Sequence, residues 1–130
     1  APDDARAAKL WLRDKAIMEL LYSSGLRVSE LSASLLTDLD LSAALITVTG
    51  KGNKTRVLPV GRKAIAAIRA WLQVRHEFLK ADSGDHLFVN ERGGRFGERG
   101  IQQAVARLDT IAAQGLGLGG SGGHLGHGAR

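Results

Sequence analysis

Cysteine is absent from these 130 residues, which excludes a disulfide framework and any thiolate metal site. No apolar run approaches the length needed to span a bilayer, and the chain opens with Asp3 and Asp4 rather than a basic signal sequence. No membrane partner is expected, and an intracellular, cytoplasmic location is the default. Proline occurs twice, and Pro59 cannot donate to a β ladder, so it belongs at a strand end or on a sheet edge. Tyrosine occurs once. The Tyr22 phenol is a nucleophile by chemistry, but its position in an apolar helical stripe assigns it to core packing.

What is present describes a soluble domain: 44% hydrophobic and 24% charged residues over a length sufficient for one real core. The charge is unevenly placed. Residues 1–50 carry five lysines and arginines against seven carboxylates, whereas residues 51–107 carry twelve against five. A basic middle on an otherwise mildly acidic chain points to a polyanion, with nucleic acid ahead of a membrane surface. A solvated basic face is the plainer alternative.

Along the chain, Ala5 to Ser23 reads as a first helix with Leu10, Ile17, Leu20 and Leu21 at helical spacing and Trp11, Met18 and Tyr22 widening the stripe. Gly25 suits the left-handed turn that closes it. Val28 to Leu36 reads as a second helix, which puts Arg27 at a helix start, where backbone N–H groups favour an anion and a guanidinium adds a planar fork of donors. Thr37 to Asp40 reads as a turn. Leu45–Thr49 and Thr55–Val60 read as paired strands, joined by the Gly50-Lys51-Gly52-Asn53-Lys54 turn. That hairpin should present Lys51 at its tip with Lys54 and Arg56 behind it. Gly61 to Lys80 reads as the longest helix, its apolar stripe interrupted by Arg75 and its outer face carrying Arg62, Lys63 and Arg69. Leu87-Phe88-Val89 suggests a third short strand, Asn90 to Gly97 a loop with Arg92 and Arg95, and Glu98 to Ala113 a last helix in which Ile101, Val105, Leu108 and Ile111 are in phase. Eight of the seventeen glycines lie between Gly115 and Gly128, so residues 115–130 are expected to form a flexible tail behind a domain of residues 1–114.

Taken together, Arg13-Asp14-Lys15-Ala16, Leu21-Tyr22, Ser24-Gly25-Leu26-Arg27-Val28-Ser29-Glu30-Leu31, Gly50-Lys51-Gly52-Asn53-Lys54-Thr55-Arg56 and Leu58-Pro59-Val60 resemble, in order and spacing, the catalytic domain of the tyrosine recombinase/phage integrase family, in particular its Xer-type members. The resemblance covers roughly residues 10–115 and also takes in Leu87-Phe88-Val89 and the Gly93-Gly94-Arg95 loop. It implies DNA strand cleavage and rejoining through a phosphotyrosyl intermediate, without a metal or small-molecule cofactor. By the same resemblance Arg27 would clamp the scissile phosphate, and Lys51 would contact DNA and help protonate the leaving oxygen. Glu30 would support Arg27, and Lys51, Asn53, Lys54, Arg56 and Arg62 would face DNA.

The family completes its site with an H-x-L-R-H box, a later histidine or tryptophan, and a tyrosine on a C-terminal helix. Here no tyrosine follows residue 22, and only His127 and Arg130 satisfy the bare H-x-x-R spacing, within the Gly-rich tail. Without a phenolic nucleophile the chain is expected to bind DNA and not to cleave it. The resulting expectation is an α+β fold, mainly helical with a small antiparallel sheet of two to three strands. Its function would be that of a truncated recombinase catalytic domain, nucleoid-associated, with duplex DNA and other recombinase subunits as partners. A regulatory module that binds intact subunits, or a truncated domain without activity, are the alternatives.

Overall fold

The computed structural model describes the backbone of residues 2–116 and the side chains of residues 4–114. Its elements run α1 (Pro2–Ser24), α2 (Val28–Ala33), β1 (Leu39–Asp40), β2 (Leu45–Thr49), β3 (Thr55–Pro59), α3 (Arg62–Arg75) and α4 (Glu98–Leu116). The sheet is antiparallel throughout, in the order β1-β2-β3. A mainly helical α+β fold with a small sheet is therefore what the chain adopts.

The core gathers where α1, α3 and α4 meet the sheet. Ala16, Ile17 and Leu20 from α1, Ala64, Ile68 and Trp71 from α3, and Ile101 and Ala104 from α4 are all fully buried, as is Ile46 of β2. Trp71 anchors the centre: its ring lies 5.9 Å from Phe78 and 6.4 Å from Phe88, and its indole N–H donates to the Leu87 carbonyl at 2.8 Å. A buried indole left without that acceptor would forfeit the hydrogen bond it makes with water in the unfolded chain.

Several sequence expectations are corrected. The longest helix is α1, with 23 residues, not the segment after Gly61. There α3 stops at Arg75 and a tighter 3₁₀ turn over His76–Phe78 brings Phe78 into the core. Tyr22 is not a core residue: it is 49% exposed, and its hydroxyl donates to Asp109 on α4 at 3.1 Å. Trp11 is likewise exposed, because Arg13 and Asp14 occupy the buried face of α1 instead. On α4 the apolar line ends at Leu108, and Ile111 faces solvent.

The second helix ends at Ala33 rather than Leu36. Ser34 Oγ donates back to the Glu30 carbonyl at 2.9 Å, and the Ser34 N–H bonds Leu31 in a tight closing turn. A hydroxyl competing for helix carbonyls favours such an exit. Leu87–Val89 is no strand. All three side chains are buried, and the pairing at this segment is by isolated bridges, Leu35 to His86 just before it and Val89 to Arg95 at its end. The third strand is β1, which takes up the second half of the turn expected at Thr37–Asp40, after a 3₁₀ turn over Leu36–Asp38, and pairs Leu39 with Ile46. Helix α4 continues through Gly115 to Leu116, past the expected domain boundary; the rest of the Gly-rich tail lies outside the described residues.

Candidate nucleic-acid interface

Two short segments, one on each side of an open cleft, bring the singled-out residues together. Arg27, Ser29 and Glu30 line it from the entry of α2, and Thr49, Gly50 and Lys51 line it from the end of β2 and the hairpin turn. The approach to α2 is set by Gly25, whose φ of +70° lets the chain leave α1 in a left-handed turn. The buried Leu26 pins that turn to the core. Arg27 then adopts an extended conformation and its side chain is 74% exposed, held out over the cleft.

Opposite, β2 and β3 pair from Leu45 with Pro59 to Thr49 with Thr55, so Pro59 ends its strand as its chemistry requires. Residues Lys51–Asn53 form a 3₁₀ turn, in which Gly52 (φ +74°) and Asn53 (φ +60°) take left-handed conformations. Glycine and asparagine adopt that region at least cost. The turn closes with the Gly50 N–H donating to the Lys54 carbonyl at 2.8 Å, and Lys51, Asn53 and Lys54 are exposed around it. Arg62, the first residue of α3, is also exposed. The hairpin is tied to the end of α1, since Ser24 Oγ donates to the Pro59 carbonyl at 2.7 Å.

Glu30 is the hub. Its side chain is only 3% exposed, and such a buried carboxylate is tolerated only with charged or N–H partners. Oε1 accepts the Arg27 backbone N–H at 2.8 Å, and Oε2 lies 3.8 Å from Arg27 Nη1. Arg56 reaches it from β3 with both terminal nitrogens, Nη1 to Oε2 at 2.7 Å and Nη2 to Oε1 at 3.2 Å. Glu30 thus contacts Arg27 chiefly through the Arg27 backbone N–H, with the side chain further away. At the helix start, α2 has six residues, too few for a sizeable dipole, and Glu30 takes the Arg27 N–H. Any anion-binding capacity at this point rests on the guanidinium.

Sequence reasoning placed Arg56 behind Lys51 on the hairpin, among the residues facing DNA, and did not anticipate its contact with Glu30. The register explains the difference. Arg56 stands opposite the buried Val48, and directly paired residues share one face of a sheet, so Arg56 lies on the face of the hairpin that meets Glu30, with its side chain still 41% exposed. The alternation of Leu58 with Arg56 carried that signal. A second missed group lies behind the cleft. Arg13 is buried, donating to Asp14 Oδ1 at 2.9 Å and to the Val89 carbonyl at 3.3 Å, with its guanidinium 3.9 Å from the centroid of Phe96. The Phe96 carbonyl in turn accepts Ser32 Oγ of α2 at 2.8 Å. His127 and Arg130, singled out by spacing, lie outside the described residues.

Comparison with known proteins fits this arrangement. The model of the phage integrase family matches residues 3–117. The chain is 49% identical over 98 residues to a protein named tyrosine recombinase XerC from Alcanivorax borkumensis, covering 75% of this chain and 32% of that protein. It is 48% identical over 118 residues to tyrosine recombinase XerC from Shewanella amazonensis, covering 91% of this chain and 37% of the relative. The chain therefore spans about a third of the length of these relatives. Among solved structures, the crystal structure of XerA recombinase superimposes with a TM-score of 0.68 at 27% identity, over 86% of this chain and 42% of that one. XerH site-specific recombinase, solved bound to its difH substrate as a pre-cleavage complex, shares the fold at a TM-score of 0.68 and 23% identity, over 81% of this chain and 30% of that one. With nearly the whole described fold inside the family match and Xer-type relatives near half identity, this chain belongs to the phage integrase family of tyrosine recombinases.

Proposed function

We propose that this chain is the phosphate-gripping portion of a site-specific recombinase, binding duplex DNA through the cleft between α2 and the β2–β3 hairpin, and that these 130 residues do not break DNA themselves. The observation that carries this is the cleft: Arg27 and Lys51 both line it, from the entry of α2 and from the hairpin turn, and Glu30 holds the Arg27 backbone N–H while the Arg27 side chain is 74% exposed. A guanidinium can engage two oxygens of one phosphate, and a lysine on an exposed turn can reach the same group as a point charge or as a proton donor. Phosphoryl transfer depends mostly on such positioning and charge neutralisation. Asn53, Lys54 and Arg62 extend the basic surface along the duplex. The XerH structure, with DNA bound to a protein of the same fold, is consistent with this use of the domain.

Attack on the phosphate calls for a nucleophile on the far side. The sole tyrosine, Tyr22, ends α1 with its hydroxyl on Asp109, and neither residue lines the cleft. Cleavage competence would need groups beyond Arg27 and Lys51, and other recombinase subunits are one source. A cytoplasmic, nucleoid-associated location follows from the DNA partner. Among the described residues no helix is long and apolar enough to cross a membrane.

The deciding experiment mixes this chain with a nicked suicide DNA duplex, scoring covalent adducts and binding across a salt series. Salt-dependent binding, weakened by the Lys51→Ala/Lys54→Ala pair and without adduct, is expected. An adduct at any residue, or binding indifferent to salt and to those substitutions, overturns the proposal.

A further inference from the structure

We infer that Arg56 is a positioning residue that latches the hairpin onto α2 and sets the charge of the cleft, acting through Glu30 rather than on DNA. This role presupposes the phosphate-binding cleft proposed above. Arg56 is absent from the residues lining that cleft. Its fork is engaged on Glu30 although the side chain is 41% exposed, and the strand register pairs it with the buried Val48.

The consequence is electrostatic as well as mechanical. Glu30 is a nearly fully buried carboxylate whose Oε2 lies 3.8 Å from the Arg27 guanidinium. Left to Arg27 alone, that charge would draw the guanidinium inward and cancel half of the positive charge the cleft presents. Arg56 neutralises Glu30 from the hairpin side, through two charge-assisted hydrogen bonds that a lysine could not reproduce. Arg27 then keeps only its long 3.8 Å contact with Glu30, and both it and Lys51 line the cleft as cations. The same contact fixes the neck of the hairpin. Gly50 packs against Glu30, where a Cβ would stand 3.5 Å from Oε2, and Lys51 follows directly. One ion pair thus sets both where Lys51 stands and how strongly Arg27 can attract an anion.

The test compares Arg56→Met, Arg56→Lys and the Arg56→Met/Glu30→Gln double variant for binding to a short DNA duplex over a salt series, with amide hydrogen exchange of Thr49–Thr55 measured without DNA. Arg56→Met should weaken binding roughly tenfold at low salt, because it leaves a buried carboxylate to compete for Arg27. Removing that carboxylate in the double variant should restore most of the affinity with the wild-type salt slope. Arg56→Lys, which keeps charge but loses the fork, should bind nearly as wild type while its hairpin amides exchange faster. A lost phosphate contact behaves otherwise: the salt slope falls by about one and Glu30→Gln brings no rescue. That outcome overturns the inference. If the wild-type chain does not bind DNA at all, the proposed function fails, and the latch is judged by exchange alone. Hairpin amides as protected in Arg56→Met as in the wild type overturn it; faster exchange confined to the hairpin supports it.

Discussion

The guanidinium of Arg13 lies over the Phe96 ring, 3.9 Å from its centroid, while donating to Asp14 and to the Val89 carbonyl. An arginine on the buried face of a helix thereby holds together α1, the Leu87–Phe96 segment and, through the Phe96 carbonyl and Ser32, the helix that carries Glu30. Arg13→Met keeps the length of the side chain but removes its charge and its donors. It should cost about 3 kcal/mol, since it strips a buried carboxylate of one partner and a buried carbonyl of its donor. Arg107, which also bonds Asp14 but is half exposed, should cost no more than about 1 kcal/mol on substitution by alanine. Urea unfolding of the two variants checks the contrast, and equal losses would count against it.

Gly93 and Gly25 both have positive φ, +90° and +70°, and yet should respond differently to alanine. A Cβ on Gly93 would stand 2.6 Å from the Phe78 carbonyl oxygen and 2.5 Å from Ser83 Oγ, so backbone has to move; at Gly25 it would meet nothing within 4 Å. Gly25→Ala should therefore cost only the conformational penalty, about 1 kcal/mol. Gly93→Ala adds a steric clash and should cost about 2–4 kcal/mol. Thermal unfolding of both variants separates them.

Acid stability should depend on two surface carboxylates. The Ala43 N–H and the Ser42 hydroxyl, each at 3.0 Å, hold Asp40 below its ordinary value of 3.8. The hydrogen bond from Lys9 likewise holds Glu77 below its ordinary 4.5. Each group binds fewer protons folded than unfolded, so its contribution is complete above those ordinary values and lost as pH falls through the lowered folded ones. Asp40→Asn and Glu77→Gln should lower Tm relative to wild type near neutral pH. Both differences should shrink as pH is taken below the ordinary carboxylate range. A gap that widens in acid would refute the assignment.

Arg27 and Lys51 were legible in the sequence because each sits within a few residues of a turn-forming glycine or of the helix it begins. Local chemistry sufficed to put Arg27 at a helix start and Lys51 on a hairpin turn; Glu30 was singled out only through the family resemblance. The Glu30–Arg56 contact joins residues 26 positions apart, and only the period-two alternation with Leu58 hinted at it. The buried Arg13 was hidden for the opposite reason: helical periodicity favours apolar residues for the inner face, so Trp11 and Tyr22 read as part of the buried stripe and Arg13 had no place in it. Leu87–Val89 reads as a strand because an uninterrupted apolar run reports burial, whatever its hydrogen bonding. The two-residue β1 carries no pattern long enough to read, and it exists because β2 offers Leu39 and Asp40 partners.

Arg27 offers the clearest separation of binding from folding. Its side chain is 74% exposed, its ion pair with Glu30 is long at 3.8 Å, and its backbone N–H remains bonded to Glu30 whatever side chain it carries. Arg27→Ala should thus change unfolding free energy by no more than about 0.5 kcal/mol. On the proposed function the same substitution should weaken duplex binding at low salt by roughly tenfold, through loss of a forked phosphate contact. Arg27→Lys should recover only part of that loss, because an ammonium restores the charge without the two-oxygen geometry. Paired titrations and unfolding curves on the three proteins decide it. Full recovery by lysine would reduce Arg27 to a diffuse positive charge, and unchanged binding by alanine would remove it from the interface.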